Sequence, residues 1–374
     1  MKTEQNVFTD GIKEGKLAGQ ADLVLVFGAT KKIREKGIID LIKASYPKAC
    51  VFGCSTAGEI MGTHVLDDSL IVTAVSFSKS RVEGALVTGV SAKDSYKAGA
   101  DLAMSLGRDD LKHVFVLSDG VNINGSELVR GLTDHLPAGT TLTGGLSGDG
   151  DRFQETYVLL NAEPVRDAVG AIGFYSRNLK VGYGSQGGWD TFGPERLITR
   201  AKGNILYELD GKSALVLYKQ YLGEHAKGLP ATGLLFPLSL RMNDSSSPVV
   251  RTLLSVNEKD QSMTFAGNMP ENIYARLMKT NIERLIDGAV GAARTTSETC
   301  GLVSAELAIL VSCVGRKLVL KQRIEEEVEG VCDILGQKVT YTGFYSYGEI
   351  SPFNNGGICE LHNQTMTITT LSED

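Results

Sequence analysis

Apolar residues in this chain gather in short unbroken runs, and three of those runs open the same succession of elements. Leu23–Phe27, Val114–Leu117 and Ala308–Ser312 lack the alternation of a half-exposed strand, so each reads as a strand buried on both faces. A segment of helical spacing follows each: Lys31–Ser45 with Ile33, Ile38, Leu41 and Ile42 on one side, then Gly125–His135, then Ile324–Leu335. Return strands are expected at Ala49–Gly53, Thr140–Thr143 and Val339–Gly343. Every return strand runs into a glycine with a hydroxyl residue three positions on: Gly53 and Thr56, Gly144 and Ser147, Gly343 and Ser346. A glycine and an acid come close behind. This unit of strand, helix, strand and small polar turn therefore occurs three times, and repetition bears on the whole fold.

Between the units the pattern changes. Ser69–Phe77, Val82–Val90, Thr156–Leu160, Ala168–Tyr175, Leu179–Gly182, Pro248–Val256, Ser262–Phe265 and Gln364–Leu371 read as further strands separated by glycine-rich turns. Asp94–Leu106, Ser213–Leu222 and Glu271–Arg294 read as helices, the last being the longest. Strands beside repeated βαβ units predict an α/β, mixed α+β fold: two domains, mixed sheets with additional antiparallel strands, and helices packed on them. The polar stretch Gly223–Pro230 marks the boundary, giving an N-terminal domain of residues 1–222 and a C-terminal domain of 223–374.

Composition narrows the function classes. The 374 residues carry a formal charge of −6 and no basic patch with interleaved aromatics, which excludes a typical nucleic-acid binder. No run reaches the ~18 apolar residues of a spanning helix, and Met1–Glu14 is too polar for a signal peptide. Six cysteines without a Cys-x-x-Cys pair read as reduced thiols of a cytoplasmic protein.

Candidate chemistry lies at the turns. Gly182-Tyr183-Gly184-Ser185-Gln186-Gly187 has the dinucleotide spacing, but a turn-rich segment follows it where the phosphate site needs a helix. Gly53-Cys54-Ser55-Thr56-Ala57 and Gly145-Leu146-Ser147-Gly148-Asp149 both miss the last glycine of a nucleophile elbow. Cys54 would be a nucleophile only if a neighbour lowered its pKa. A ligand at the strand ends would meet Cys54, Ser55, Thr56, Asp119, Ser147, Tyr345, Ser346 and Glu349, with Arg316 placed to pair with a carboxylate. No histidine spacing suits zinc, whereas His64 and His362 are candidates for a single axial haem ligand. The run Glu325-Glu326-Glu327 reads as the solvated face of a helix.

Several ordered blocks together resemble the FIST family, whose members pair a FIST N-terminal with a FIST C-terminal domain. They are Phe52–Ile60, Gly144–Asp149, Gly203–Gly211, Gly343–Ile350 and Leu361–Thr365. The resemblance implies a sensory module of bacterial signal transduction that binds a small ligand, either an amino acid-like metabolite or haem with nitric oxide. It further implies no catalytic set, and output through a separate partner such as a histidine kinase. The alternatives are a Cys54-dependent enzyme and a ligand-free interaction scaffold.

Overall fold

The computed structural model describes residues 1–8, 17, 19–241, 248–300, 304–352 and 357–374; residues 9–14 of the polar N-terminal stretch lie outside them. Unit one comprises strands β1 (Lys2–Val7) and β2 (Leu23–Ala29), short helices α1 (Thr30–Ile33) and α2 (Ile38–Ser45), and strands β3 (Cys50–Thr56), β4 (Glu59–Met61), β5 (His64–Leu66) and β6 (Leu70–Ser76). Strand β7 (Arg81–Thr88) and helix α3 (Ser95–Ser105) lead into unit two. That unit holds β8 (Leu111–Ser118), α4 (Gly125–His135), β9 (Thr141–Leu146), β10 (Val158–Leu160) and β11 (Ala168–Tyr175), and β12 (Leu179–Gln186) follows it.

An inserted module comes next, built from β13 (Asp190–Lys202), β14 (Ile205–Leu209), β15 (Lys212–Ser213), helix α5 (Ala214–Leu222), β16 (Leu238–Arg241), β17 (Val249–Arg251), β18 (Leu253–Asn257), β19 (Ser262–Phe265) and β20 (Tyr274–Lys279). Helix α6 (Ile282–Thr299) returns the chain to the main body. Unit three is β21 (Leu307–Cys313), α7 (Val314–Leu320), α8 (Glu325–Leu335), β22 (Thr340–Ser346), β23 (Gly348–Pro352), β24 (Cys359–His362) and β25 (Met366–Glu373). Among the described residues no helix is long and apolar enough to cross a membrane.

The three units build three sheets of one plan. In each, the first two strands run parallel (β2 with β3, β8 with β9, β21 with β22), and a third lies antiparallel to the first (β6, β11, β25). The short strand after each turn leaves its own sheet. β4 joins β22 of unit three, β23 joins β9 of unit two, and β10 joins β3 of unit one. The hairpins hand over a strand on the other side: β7 pairs with β11, and β12 with β25. The structure is a closed ring of units in which each completes its neighbour.

This arrangement explains the unbroken apolar runs. Leu23, Leu25, Phe27, Phe115, Leu117, Leu307, Ile309 and Val311 meet in one central core. Their alternates face outward under helices: Val24 and Val26 in unit one, Val114 and Val116 in unit two, Ala308 and Leu310 in unit three. Both faces are covered, so alternation is lost. The inserted module has a separate core around Ile198, Leu215, Leu240, Met263 and Phe265.

Three expectations change. Lys31–Ser45 is two helices rather than one, broken at Gly37 with φ 81°. The long helix expected over Glu271–Arg294 begins only at Ile282, where the Asn281 side chain accepts the Arg284 amide at 3.0 Å. Tyr274–Lys279 is instead a strand, held between β13 and β16 by ladders on both edges, so tertiary pairing overrides a helical pattern. Glu327, read as solvated, is fully buried; it turns inward from α8 to meet Arg316.

Candidate functional site

The repeated glycine is a packing requirement. Gly53, Gly144 and Gly343 lie opposite Val26, Val116 and Leu310 on the parallel partner strand. A Cβ on any of them would sit 1.9 Å from the facing carbonyl oxygen. Close approach of the strands brings the following turns together at one end of the ring. There the Ala57 amide donates to Tyr345 O (2.8 Å), the Tyr345 amide to Gly58 O (2.8 Å) and the Gly148 amide to Ser55 O (2.9 Å).

The repeated hydroxyl and acid form a cage. Thr56 Oγ1 donates to Glu59 Oε1, while Ser69 donates to Oε2 through its hydroxyl (2.5 Å) and its amide (3.2 Å). Unit three repeats this arrangement. Ser346 Oγ donates to Glu349 Oε1 (2.6 Å), and the Thr365 hydroxyl and amide donate to Oε2 at 3.0 and 3.1 Å. Burial dominates both carboxyls and pushes each up to about 7, against the pull of the caging donors. In unit two the register puts Val158 at this place. Its acid, Asp149, instead accepts the amides of Phe153, Gln154 and Glu155 and the Tyr347 hydroxyl.

A carboxyl that holds its proton more tightly when folded stabilises the fold fully below its unfolded pKa. That contribution is lost as pH rises, here from about 4.5 through about 7. Urea midpoints should accordingly fall across this window, and Glu349→Gln should flatten the slope. An unchanged slope in that variant would show that Glu349 does not contribute to it.

One of these corners opens into a cavity of about 380 Å³. Thr30 and Lys31 beyond β2, Thr56–Glu59, Asp67, Asp68, Asp149–Arg152 and Lys317 of α7 line it. Lys317 Nζ donates to Ala57 O at 2.9 Å, ion-pairs with Asp67 and lies 5.5 Å from the Tyr345 ring centroid. It passes so close over Gly58 that a Cβ there would be 2.4 Å from Nζ. Arg152 donates to Thr30 Oγ1 at 3.2 Å and has Nε 3.5 Å from Asp149 Oδ2. Cations and carboxylates thus alternate around the ends of two parallel strands, a usual place for a ligand in an α/β sheet.

The other two corners carry apolar or aromatic side chains at the equivalent places. Cys313 and Ala29 lie opposite the turn hydroxyls of their units, and four residues further on stand Lys317 and Ile33. In unit two the same step from Asp119 leads to Ile123, which is buried like Ile33. At the Glu349 corner Tyr347 takes the place of Ala57, stacks on Phe153 at 4.1 Å and fills the space.

The structure distributes the residues singled out in the sequence as follows. Thr56 lines the cavity. Cys54 lies in the central core, where burial raises its thiol well above the usual range. Ser55 Oγ accepts the Tyr157 amide (2.9 Å), and Ser147 Oγ donates to Ser118 O (2.7 Å). Asp119 is buried and caps its own turn, accepting the amides of Val121 and Asn122 at 2.8 Å. Arg316 is fully buried: it pairs with Glu327 at 2.7 Å and donates to Gly187 O (2.5 Å) and Leu285 O (2.7 Å). The Tyr345 hydroxyl donates to the same Glu327 at 2.6 Å. Ser346 and Glu349 form the second cage.

His64 is exposed, with Nδ1 3.2 Å from Glu325 Oε1. His362 is enclosed, with Nε2 2.8 Å from Ser351 O, and burial lowers its pKa to about 4. The two histidines line no common cavity among the described residues. Sequence reasoning passed over Lys317, Arg152 and Asp67. Glu59 stood within the repeated motif, and its caged twin Glu349 was the signal that could have found it.

Comparison with known proteins agrees with the order of units along the chain. Residues 22–212 match the FIST N domain and residues 214–352 the FIST C domain. An uncharacterized protein of Methanocaldococcus jannaschii is 25% identical over 93% of this chain and 70% of its own length. A crystal structure of chorismatase aligns over 99% of this chain and 98% of its own, at 9% identity and a TM-score of 0.36. With both matches in sequence and together covering most of its length, the chain belongs to the FIST family, whose domains serve as sensory domains in signal transduction.

Proposed function

We propose that the protein is a cytoplasmic sensor that binds a small zwitterionic metabolite of the amino acid kind in the cavity beside Glu59, and passes the bound state to a separate signalling protein such as a histidine kinase. The observation that carries this reading is the mixed-sign cavity at one corner of a threefold scaffold whose equivalent corners carry apolar or aromatic side chains instead. Arg152 and Lys31 are placed for a ligand carboxylate, and Asp67 and Asp68 for an ammonium. Val314, Lys317 and Leu318 come from unit three, while the remaining wall comes from units one and two. A ligand held there would favour one arrangement of the units over another, which a partner could read. Division into an N-terminal domain, 1–222, and a C-terminal domain, 223–374, belongs to the same proposal, with the inserted module packing residues from both sides of that boundary into one core.

The haem reading would rest on His64 and His362, whose hydrogen-bonded positions away from this cavity give it less support. An enzyme built on Cys54 would need a thiolate where burial disfavours one.

Isothermal titration with a panel of amino acids tests the proposal. One member should bind, and at ~100 times its Kd it should raise stability by about 2.7 kcal/mol. Arg152→Ala and Lys31→Ala should each weaken binding by about 10- to 100-fold, the loss of one charge-assisted contact. Absence of binding across the panel, or affinity indifferent to both changes, would reject it.

A further inference from the structure

A second cavity, of about 310 Å³, lies along the seam between the inserted module and the main body. Its chemistry is the reverse of the first. The inserted module supplies Val250 and Met278, and Trp189 stands at the module's root; the main body supplies Gln186, Thr295 and Asn363. Among the described residues no Asp, Glu, Lys or Arg lines it, and burial keeps His362 neutral down to a pKa of about 4. An ion placed there would lose hydration with no opposite charge to offset the loss, so charged ligands are disfavoured. The indole offers a flat apolar surface, and the thioether of Met278 adapts to what lies against it. The Gln186 side chain carries both donor and acceptor and makes no hydrogen bond to the protein among the described residues.

An apolar, aromatic side and an uncharged hydrogen-bonding side across a cavity of this size suit a small flat molecule with donors and acceptors on its rim. From this contrast we infer that the seam is a second binding site, for an uncharged planar heterocycle of the nucleobase kind. Such a ligand bridges module and body at the point where the chain crosses between them, since Gly187 and Trp189 are both wall and connection.

Trp189 is the one tryptophan of the chain and so reports on its own site. Adenine and uracil would be titrated into the full-length protein, following tryptophan emission excited at the red edge, with retention in equilibrium dialysis as a second readout. At least one should change the emission saturably and be retained, whereas glutamate should do neither at this site. Gln186→Ala removes an exposed side chain without disturbing the core and should weaken binding up to about tenfold. Thr295→Phe, which fills the cavity, should abolish it while the melting temperature shows the fold intact. If neither base is retained at millimolar concentration, or if binding survives both substitutions unchanged, the inference is wrong.

Discussion

Arg316→Ala should destabilise the protein by about 3–5 kcal/mol, because it strands a buried carboxylate. Glu327 collects the Arg316 guanidinium, the Tyr345 hydroxyl at 2.6 Å and the Ser312 hydroxyl at 3.1 Å, and neither partner of the ion pair is exposed. The same guanidinium ties Gly187, where the chain leaves for the inserted module, to Leu285 on the helix that brings it back. Urea denaturation should show the loss as a lower midpoint. The double variant Arg316→Met/Glu327→Leu is the informative control. It removes both charges at similar volume and should recover most of the stability, since such pairs are often replaceable by well-packed apolar groups. If the single variant melts like the parent, Glu327 is not confined as described. The ligand titration should meanwhile stay unchanged in the double variant, because Arg316 donates only to protein groups.

A comparable loss is expected at the repeated glycines. Gly53→Ala, Gly144→Ala and Gly343→Ala each place a methyl group 1.9 Å from a backbone carbonyl oxygen. A main-chain atom cannot turn aside as a flexible side chain can, so two paired strands must separate. The cost should reach about 3 kcal/mol or more, the upper range for overpacking. Gly53→Ala and Gly343→Ala should cost the same, because the ring puts each in the same relation to its partner strand, whereas Gly144, at φ 151°, adds backbone strain to the overlap. Gly139→Ala makes a useful contrast: no atom lies within 4 Å of a Cβ there, although φ of 83° still strains the substitution. Chemical denaturation of all four would separate steric overlap from local backbone strain. A mild effect at any one of the three repeated positions would remove that copy from the equivalence.

Much of this architecture could be read from residue order, and the parts that could not have identifiable reasons. The three parallel pairs announced themselves because burial on both faces erases alternation and leaves runs such as Leu23–Phe27. Strand β1, Lys-Thr-Glu-Gln-Asn-Val, gave no such sign. It is held by an edge ladder to β6 and by polar contacts, Gln5 to Thr73 Oγ1 (3.1 Å) and Thr3 to Thr340 (2.6 Å), which leave no hydrophobic period. The Tyr274–Lys279 strand borrowed the helical pattern of the helix after it. At the site, the motif drew attention to hydroxyls and to Arg316, yet those side chains mostly hold the corners together. The charged residues that face the cavity came from the next position along, Lys317, from a loop of unit two, and from Lys31, Asp67 and Asp68 of unit one. Whether a cation points into a pocket or into a core depends on which face of a helix meets the sheet, and adjacent residues on one short helix have opposite fates.

The traded strands also bear on how the molecule comes into being. On a ribosome, the second edge of Cys50–Thr56 must wait for Val158–Leu160, and that of Glu59–Met61 must wait for Thr342–Phe344, before each strand is paired on both sides. Throughout that interval the first unit presents unpaired backbone to its surroundings, the condition under which nascent chains are most prone to join one another. Outside the inserted module, whose strands pair among themselves, no portion released early can finish as a self-sufficient piece, because its missing strand is still untranslated. Synthesis of this protein should therefore lean on chaperone protection until its third unit emerges, and the three-unit body should then lock in as one late event.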